Sequence, residues 1–172
     1  MSGYSIFLSS TFGDLKEERT QVREALSLIP VSVYCAEQCG DTGKSLSKTL
    51  KKWIDEADAV VLLIGHRSGD SSGSGESWTQ MEVKYAMKKK KRLFVYIREL
   101  PDKLTQLVDQ DLEKQHKLEN FISLIEKRVA NIPRFKRGQC CRLTAMVVRD
   151  VDRYLQALEI ARQEASYNDS FE

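Results

Sequence analysis

No stretch of this 172-residue chain approaches the ~18 consecutive apolar residues of a membrane-spanning helix, so a span is not expected. Nor does the opening, MSGYSIFL, show the basic region and long apolar run of a secretory signal, which predicts a cytoplasmic location. A dominant charge is missing too. Lys and Arg number 27 against 25 Asp and Glu, and a net charge of +2 gives no electrostatic reason to expect nucleic acid. Metal-ligand spacing is also lacking: Cys35, Cys39, Cys140 and Cys141 form no CxxC pair, and only two histidines exist to help. No metal is expected, and the thiols read as buried or idle in a reducing compartment. No internal repeat is visible.

What is present is the composition of a soluble globular protein, 41% apolar and 30% charged. The length predicts one domain over residues 1–165, with 166–172 a frayed tail or the start of a linker. The organising stretch is Ala57 to Met87, ADAVVLLIGHRSGDSSGSGESWTQMEVKYAM. Ala59 to Ile64 is an unbroken apolar run, the pattern of a strand covered on both faces in a parallel sheet. Gly65 to Ser77, rich in glycine and serine, must be a loop. A helix then starts near Trp78 and carries Glu82 on its first turns. Open α/β sheets place ligands in that position, at the carboxyl end of a buried strand.

Around this stretch the periodicities predict strands at Tyr4–Leu8, Val31–Cys35 and Leu93–Ile97, with a short edge strand expected within Asn131–Gly138. Helices are expected at Asp14–Ile29, Ser45–Ala57 and Cys141–Ala165, and in two pieces between Leu100 and Val129. Asp14 and Glu17 have capping-box spacing. Glu18 and Arg19 fall on the apolar face of the first helix, so at least one should point inward, within an ion pair or toward an anionic ligand. The last helix steps by four and three through Leu143, Val147, Val151, Tyr154, Leu158 and Ala161, a seam for the body or for a partner. Lys88–Arg92 (KKKKR) suits a helix C-terminus. GDTGKS falls short of a phosphate-binding P-loop, because Gln38 stands where the first glycine is required; GKS reads as a turn and a serine cap. Strands alternating with helices make the fold class α/β, a flavodoxin-like parallel sheet of four or five strands with extra C-terminal helices.

Three resemblances attach to these residues. YSIFLSSTFGDLKEERTQVREAL resembles the opening of a family catalogued as a domain of unknown function, with signature SSTFxDLxxER. ADAVVLLIGHRSGD and SWTQMEVKYA resemble its later blocks. Membership implies a place at the N-terminus of NTPase-based sensor proteins, bacterial defence systems among them. The same positions resemble the Toll/interleukin-1 receptor (TIR) domain: YSIFLSS is similar to its first strand, and Trp78 to Glu82 to its WCxxE block, with Thr79 replacing the cysteine. That likeness implies Glu82 as the glutamate required for cleaving NAD, a substrate rather than a cofactor, and self-association as the working state. A more distant likeness is to nucleoside deoxyribosyltransferases.

The chemistry of Glu82 stands beside these likenesses. N-glycosidic cleavage passes through a sugar cation, which a carboxylate at the anomeric carbon stabilises or traps. Nicotinamide leaves NAD without needing a second acid, so one glutamate plus positioning residues suffices. Two helix starts compete, however. Thr79 with Glu82 is itself a capping box, whereas Ser77 with Gln80 would leave Glu82 free. Ser9, Ser10, Thr11 and Phe12 follow the first strand and suit a phosphate or ribose, or simply a turn and cap. With them go Gly65, Arg67 for a pyrophosphate and Trp78 to stack on a ring. Three functions follow: an NAD glycohydrolase in defence or signalling, a non-catalytic homotypic interaction module, and a nucleoside hydrolase or transferase.

Overall fold

A computed structural model describes residues 3–11, 13–40, 43–69, 75–99 and 111–169 of the chain. Five strands, β1 (Tyr4–Ser10), β2 (Val31–Tyr34), β3 (Ala59–Ile64), β4 (Arg92–Arg98) and β5 (Arg134–Phe135), form one sheet in the order β2-β1-β3-β4-β5. Every pairing is parallel. β3 is buried along its whole length, as its unbroken apolar run requires. The connection after β1 runs one way to β2 and the connection after β3 runs the other way to β4, so the carboxyl ends of β1 and β3 flank a topological switch point.

Helices cover both faces. α1 (Lys16–Leu26), its N-cap Leu15 and α5 (Cys140–Asp169) bury Leu15, Val22, Leu143, Val147 and Val151 against Ile6, Leu8, Val61 and Tyr96. On the opposite face, α2 (Gly43–Glu56) and α3 (Trp78–Lys88) pack Leu50, Ile54 and Ala86 on Phe7 and Val60. α4 (Leu112–Glu126) sets Leu118, Phe121 and Ile125 against Val95 and Ile97. The α5 seam is therefore used by the body as far as Leu158, with Tyr154 and Leu158 at the rim, whereas Ala161 is exposed. No helix among the described residues is long and apolar enough to cross a membrane, and no described cluster of His, Cys, Asp or Glu has the makings of a metal site.

Several boundaries differ from expectation for physical reasons. α1 begins at Lys16, after an N-cap Leu15 that makes no side-chain cap, because Asp14 is drawn elsewhere. Its carboxylate accepts from the His66 backbone N–H at 2.5 Å and from Arg98 at 2.6 Å. α2 starts at Gly43, which places Ser45 within the first turn rather than at the cap. Of the expected helix between Leu100 and Val129, residues 100–110 lie outside the described chain, and α4 supplies the remainder. The lysine-rich run ends α3 as its dipole favours. Lys91 reaches past it to donate to the carbonyls of Asp55 and Ala57 at 2.7 and 2.8 Å, closing the C-terminus of α2.

Candidate active site

Ser77 settles which residues cap α3. Its hydroxyl accepts from the Gln80 N–H at 3.2 Å, and Gln80 Oε1 accepts from the Ser77 N–H at 3.3 Å. Thr79, two residues on, donates instead to the Ser10 carbonyl at 2.9 Å and ties the helix to the end of β1. Glu82 is thereby released from capping and projects inward, only 4% exposed. Its carboxylate accepts a hydrogen bond from the Ser9 hydroxyl.

Glu82 faces a cavity of about 230 Å³. Leu46 and Leu50 of α2 and Trp78 supply apolar walls, while Ser10, Thr79, Arg19 and Glu37 supply polar ones. Arg19 crosses from α1 with its side chain 7% exposed. One arm donates to Ser10 Oγ at 2.6 Å. The other donates to Glu37, and Nε faces the second Glu37 oxygen as an ion pair outside hydrogen-bond geometry. Glu37 sits on a single 3-10 turn, Ala36–Gln38, directly after β2.

The two carboxyl groups of this cavity titrate in opposite directions. Burial dominates at Glu82 and pushes it up to about 7, against the pull of the Ser9 hydrogen bond and of Arg19, while Glu37 adds to the rise. Burial also acts on Glu37, but the Arg19 hydrogen bond and charge more than offset it and hold that carboxyl below its usual range. Near neutrality the site thus holds an anchored ion pair and one carboxyl poised between its two forms, a combination suited to proton or cation chemistry.

The family described as "Domain of unknown function (DUF4062)" matches residues 5–141. The chain belongs to the DUF4062 family. Among solved structures, the TIR domains in a crystal structure of the RPS4 and RRS1 TIR domain heterodimer are similar to this DUF4062 chain. They share 17% identity at a TM-score of 0.53, over 87% of this chain and 96% of that one. That likeness is one of fold, and the architecture is TIR-like. TIR domains from the structure of the activated Roq1 resistosome align at 14% identity and a TM-score of 0.45, over 85% of this chain and 82% of that one. A probable GTP-binding protein engB aligns at 9% and 0.45, over 85% and 99%. No curated protein matches.

The residues singled out in this DUF4062 sequence separate into two groups. Glu82, Ser10 and Trp78 line the cavity, and Ser9 touches it through Glu82. Thr11 and Gly65 belong to a second cluster: Thr11 Oγ1 accepts from the Gly65 N–H at 2.9 Å and donates to Asp14 at 3.2 Å. A Cβ at Gly65 would stand 2.1 Å from Asp14 Oδ2, so glycine is required there for close approach. Arg67 lies against Gly13, where a Cβ would meet its Cδ and Nη1 at 3.6 Å, and it is not among the described cavity walls. Phe12 lies outside the described residues. The hydroxyls expected to bind phosphate are thus engaged with protein partners. Of the cavity walls, sequence reasoning missed Ala36, Glu37, Leu46, Leu50 and Gly69 as site residues and took Thr79 only as a departure from a motif and a rival helix cap. Arg19 carried a usable signal, a charge on an apolar helix face. Glu37 carried none, because it lies in a short turn with no periodicity.

Proposed function

We propose that this TIR-like domain is an NAD glycohydrolase that uses Glu82 and works in a self-associated state. The observation that carries the reading is a buried carboxyl, free of capping duty, facing a cavity at the switch point of the sheet. The cavity, about 230 Å³, is below the roughly 300 Å³ at which typical ligand pockets begin. It therefore suits the nicotinamide-ribose end of NAD, with the phosphates and adenosine outside.

In the proposed reaction the C1′–N bond breaks and its electron pair passes to the pyridinium nitrogen. Nicotinamide leaves neutral, with no proton to be supplied. The sugar cation is stabilised or trapped by ionised Glu82, and water then adds at C1′ and loses a proton, giving ADP-ribose and H⁺. Ser9 holds one oxygen of Glu82, and Trp78 offers an aromatic wall for the base. A positively charged pyridinium entering the cavity favours the ionised form of Glu82. The RPS4 and RRS1 TIR domains form a heterodimer, which supports association as the active arrangement. The setting proposed, a defence or signalling protein with a sensor NTPase, follows the family resemblance.

The test is release of free nicotinamide from NAD, assayed from nanomolar to tens of micromolar protein. The wild-type rate per molecule should rise with concentration. Glu82→Gln should reduce release at least about a hundredfold while remaining folded. Full activity in the folded variant would remove Glu82 from the chemistry. Cleavage of nucleosides with no cleavage of NAD would move the domain to the deoxyribosyltransferase-like reading, and a chain inert toward both would be an interaction module.

A further inference from the structure

Glu37 has no part in the proposed chemistry, yet its carboxylate is one wall of the Glu82 cavity. The surroundings of Glu82 can be named element by element. β1 presents Ser9 and Ser10, α1 presents Arg19, and the turn after β2 presents Glu37. α2 presents Leu46 and Leu50, α3 presents Trp78 and Thr79, and the segment after β3 presents Gly69. Among the described residues, therefore, the charged groups facing Glu82 are Arg19 and Glu37. Arg19 can satisfy its donors in two ways. With Glu37 in place, the fork closes on that carboxylate and the remaining arm rests on Ser10. Without a negative charge at position 37, the remaining carboxylate of the cavity is Glu82, and a buried guanidinium will not stay unpaired.

We propose that Glu37 is a positioning residue of this site: by closing on Arg19 it fixes that cation against Ser10 and keeps it from pairing directly with Glu82. The inference rests on reading Glu82 as the reactive carboxylate. Its chemical consequence is direct. A carboxylate already clamped by a guanidinium has less to offer a developing sugar cation, so the pair that looks merely structural keeps Glu82 available. Glu37 suits this task because its own side chain is 33% exposed while the Arg19 side chain it holds is buried. The opposing influences of Arg19 and Glu37 on Glu82 have the signs this arrangement demands.

The experiment is a carboxyl-carbon NMR titration of protein labelled at glutamate, with the Glu82 signal assigned by its loss in Glu82→Gln. Glu37→Gln should move the Glu82 midpoint to lower pH by about one pH unit, as expected for a newly adjacent opposite charge. Arg19→Met should move it higher, and the double substitution should return it close to the wild-type position. A role in packing alone predicts no such reversal of sign. Should a single variant fail to fold, the double substitution, which orphans no charge, and Glu37→Asp, which keeps the charge but shortens its reach, are titrated instead. Glu37→Asp should then lower the midpoint part of the way. An unmoved midpoint in Glu37→Gln or Glu37→Asp, or single substitutions that shift it in the same direction, would overturn the proposal. The titration involves no NAD, so a chain that cleaves none refutes the proposed activity separately. In an active chain, the acid limb of kcat should follow the NMR midpoints, with a lower plateau in Glu37→Gln.

Discussion

Two clusters of buried charge stand at the carboxyl ends of β1 and β3, and they are built on opposite principles. In one, Arg98 donates to the Asp14 carboxylate at 2.6 Å and to the Asp14 carbonyl at 2.8 Å, and it stands 3.4 Å from Glu18. Thr11 and the His66 backbone N–H complete the shell around Asp14. Burial and the neighbouring Arg98 lower the His66 pKa, so that imidazole stays neutral and adds no charge. In the other, Glu82 has a serine for a partner and a cavity in front of it. The first cluster holds α1, β1, β4 and the start of the loop after β3 in one place. The second keeps a carboxyl near its midpoint, ready to change. A buried charge whose partners are all protein groups is architecture, and one with a void beside it is a candidate for chemistry.

That contrast can be broken first at Arg98. Arg98→Met leaves Asp14 and Glu18 buried without their cation, and loss of one partner of such a pair costs about 3–5 kcal/mol. Urea unfolding at neutral pH should show that loss, and a change below about 1 kcal/mol would mean the cluster tolerates open charges.

A somewhat smaller effect, of opposite meaning, is expected at Glu82. Its folded value of about 7 lies above the ordinary 4.5, so between these pH values the native state holds the extra proton. Stability therefore falls as pH rises through that window and levels off above about 7, a loss on the order of 3 kcal/mol. Unfolding measured at pH 5 and pH 8 should show Glu82→Gln lacking this component and more stable than wild type at the higher pH. Equal slopes in the two proteins would show that Glu82 is better solvated than its surroundings imply.

The smallest effect sharpens the comparison at Ser77. Ser77→Ala removes the cap of α3 at a cost of about 1 kcal/mol and opens the competing register in which Glu82 turns toward the Thr79 backbone. Nicotinamide release should fall more than stability does, and a proportional loss of both would confine Ser77 to helix capping.

Much of the frame was legible in the sequence because period and run length report local burial. The apolar run of β3, the stripe of α4 and the four-three seam of α5 as far as Leu158 each occupy the place their spacing predicts. Gly65 and Ser9 through Thr11 were marked as important, but their partners were not. Nothing in local spacing says that Asp14 prefers Arg98, more than eighty residues away in the chain, to the N-terminus of its own helix. The ambiguity at α3 could not be resolved for the same reason, since Thr79 is withdrawn from capping by a carbonyl on β1. Glu37 was invisible because a single 3-10 turn has no pattern to betray its inward side chain.

The end of β1 and Thr11 just after it carry one more implication, concerning what this fold can tolerate. Ser9 bonds Glu82 of α3, Ser10 accepts from Arg19 of α1, and Thr11 joins Asp14 to Gly65. Three consecutive positions thus address three different neighbours, and alternation along a strand leaves no slack between them. One residue inserted or deleted here would send every side chain to its neighbour's address. The two charge clusters would be lost together, although the sheet could still form. By contrast, β5 pairs through only two positions at the edge, and a length change near it disturbs little beyond itself. Diversification of this fold by change of length should therefore concentrate at the β5 edge and spare the end of β1.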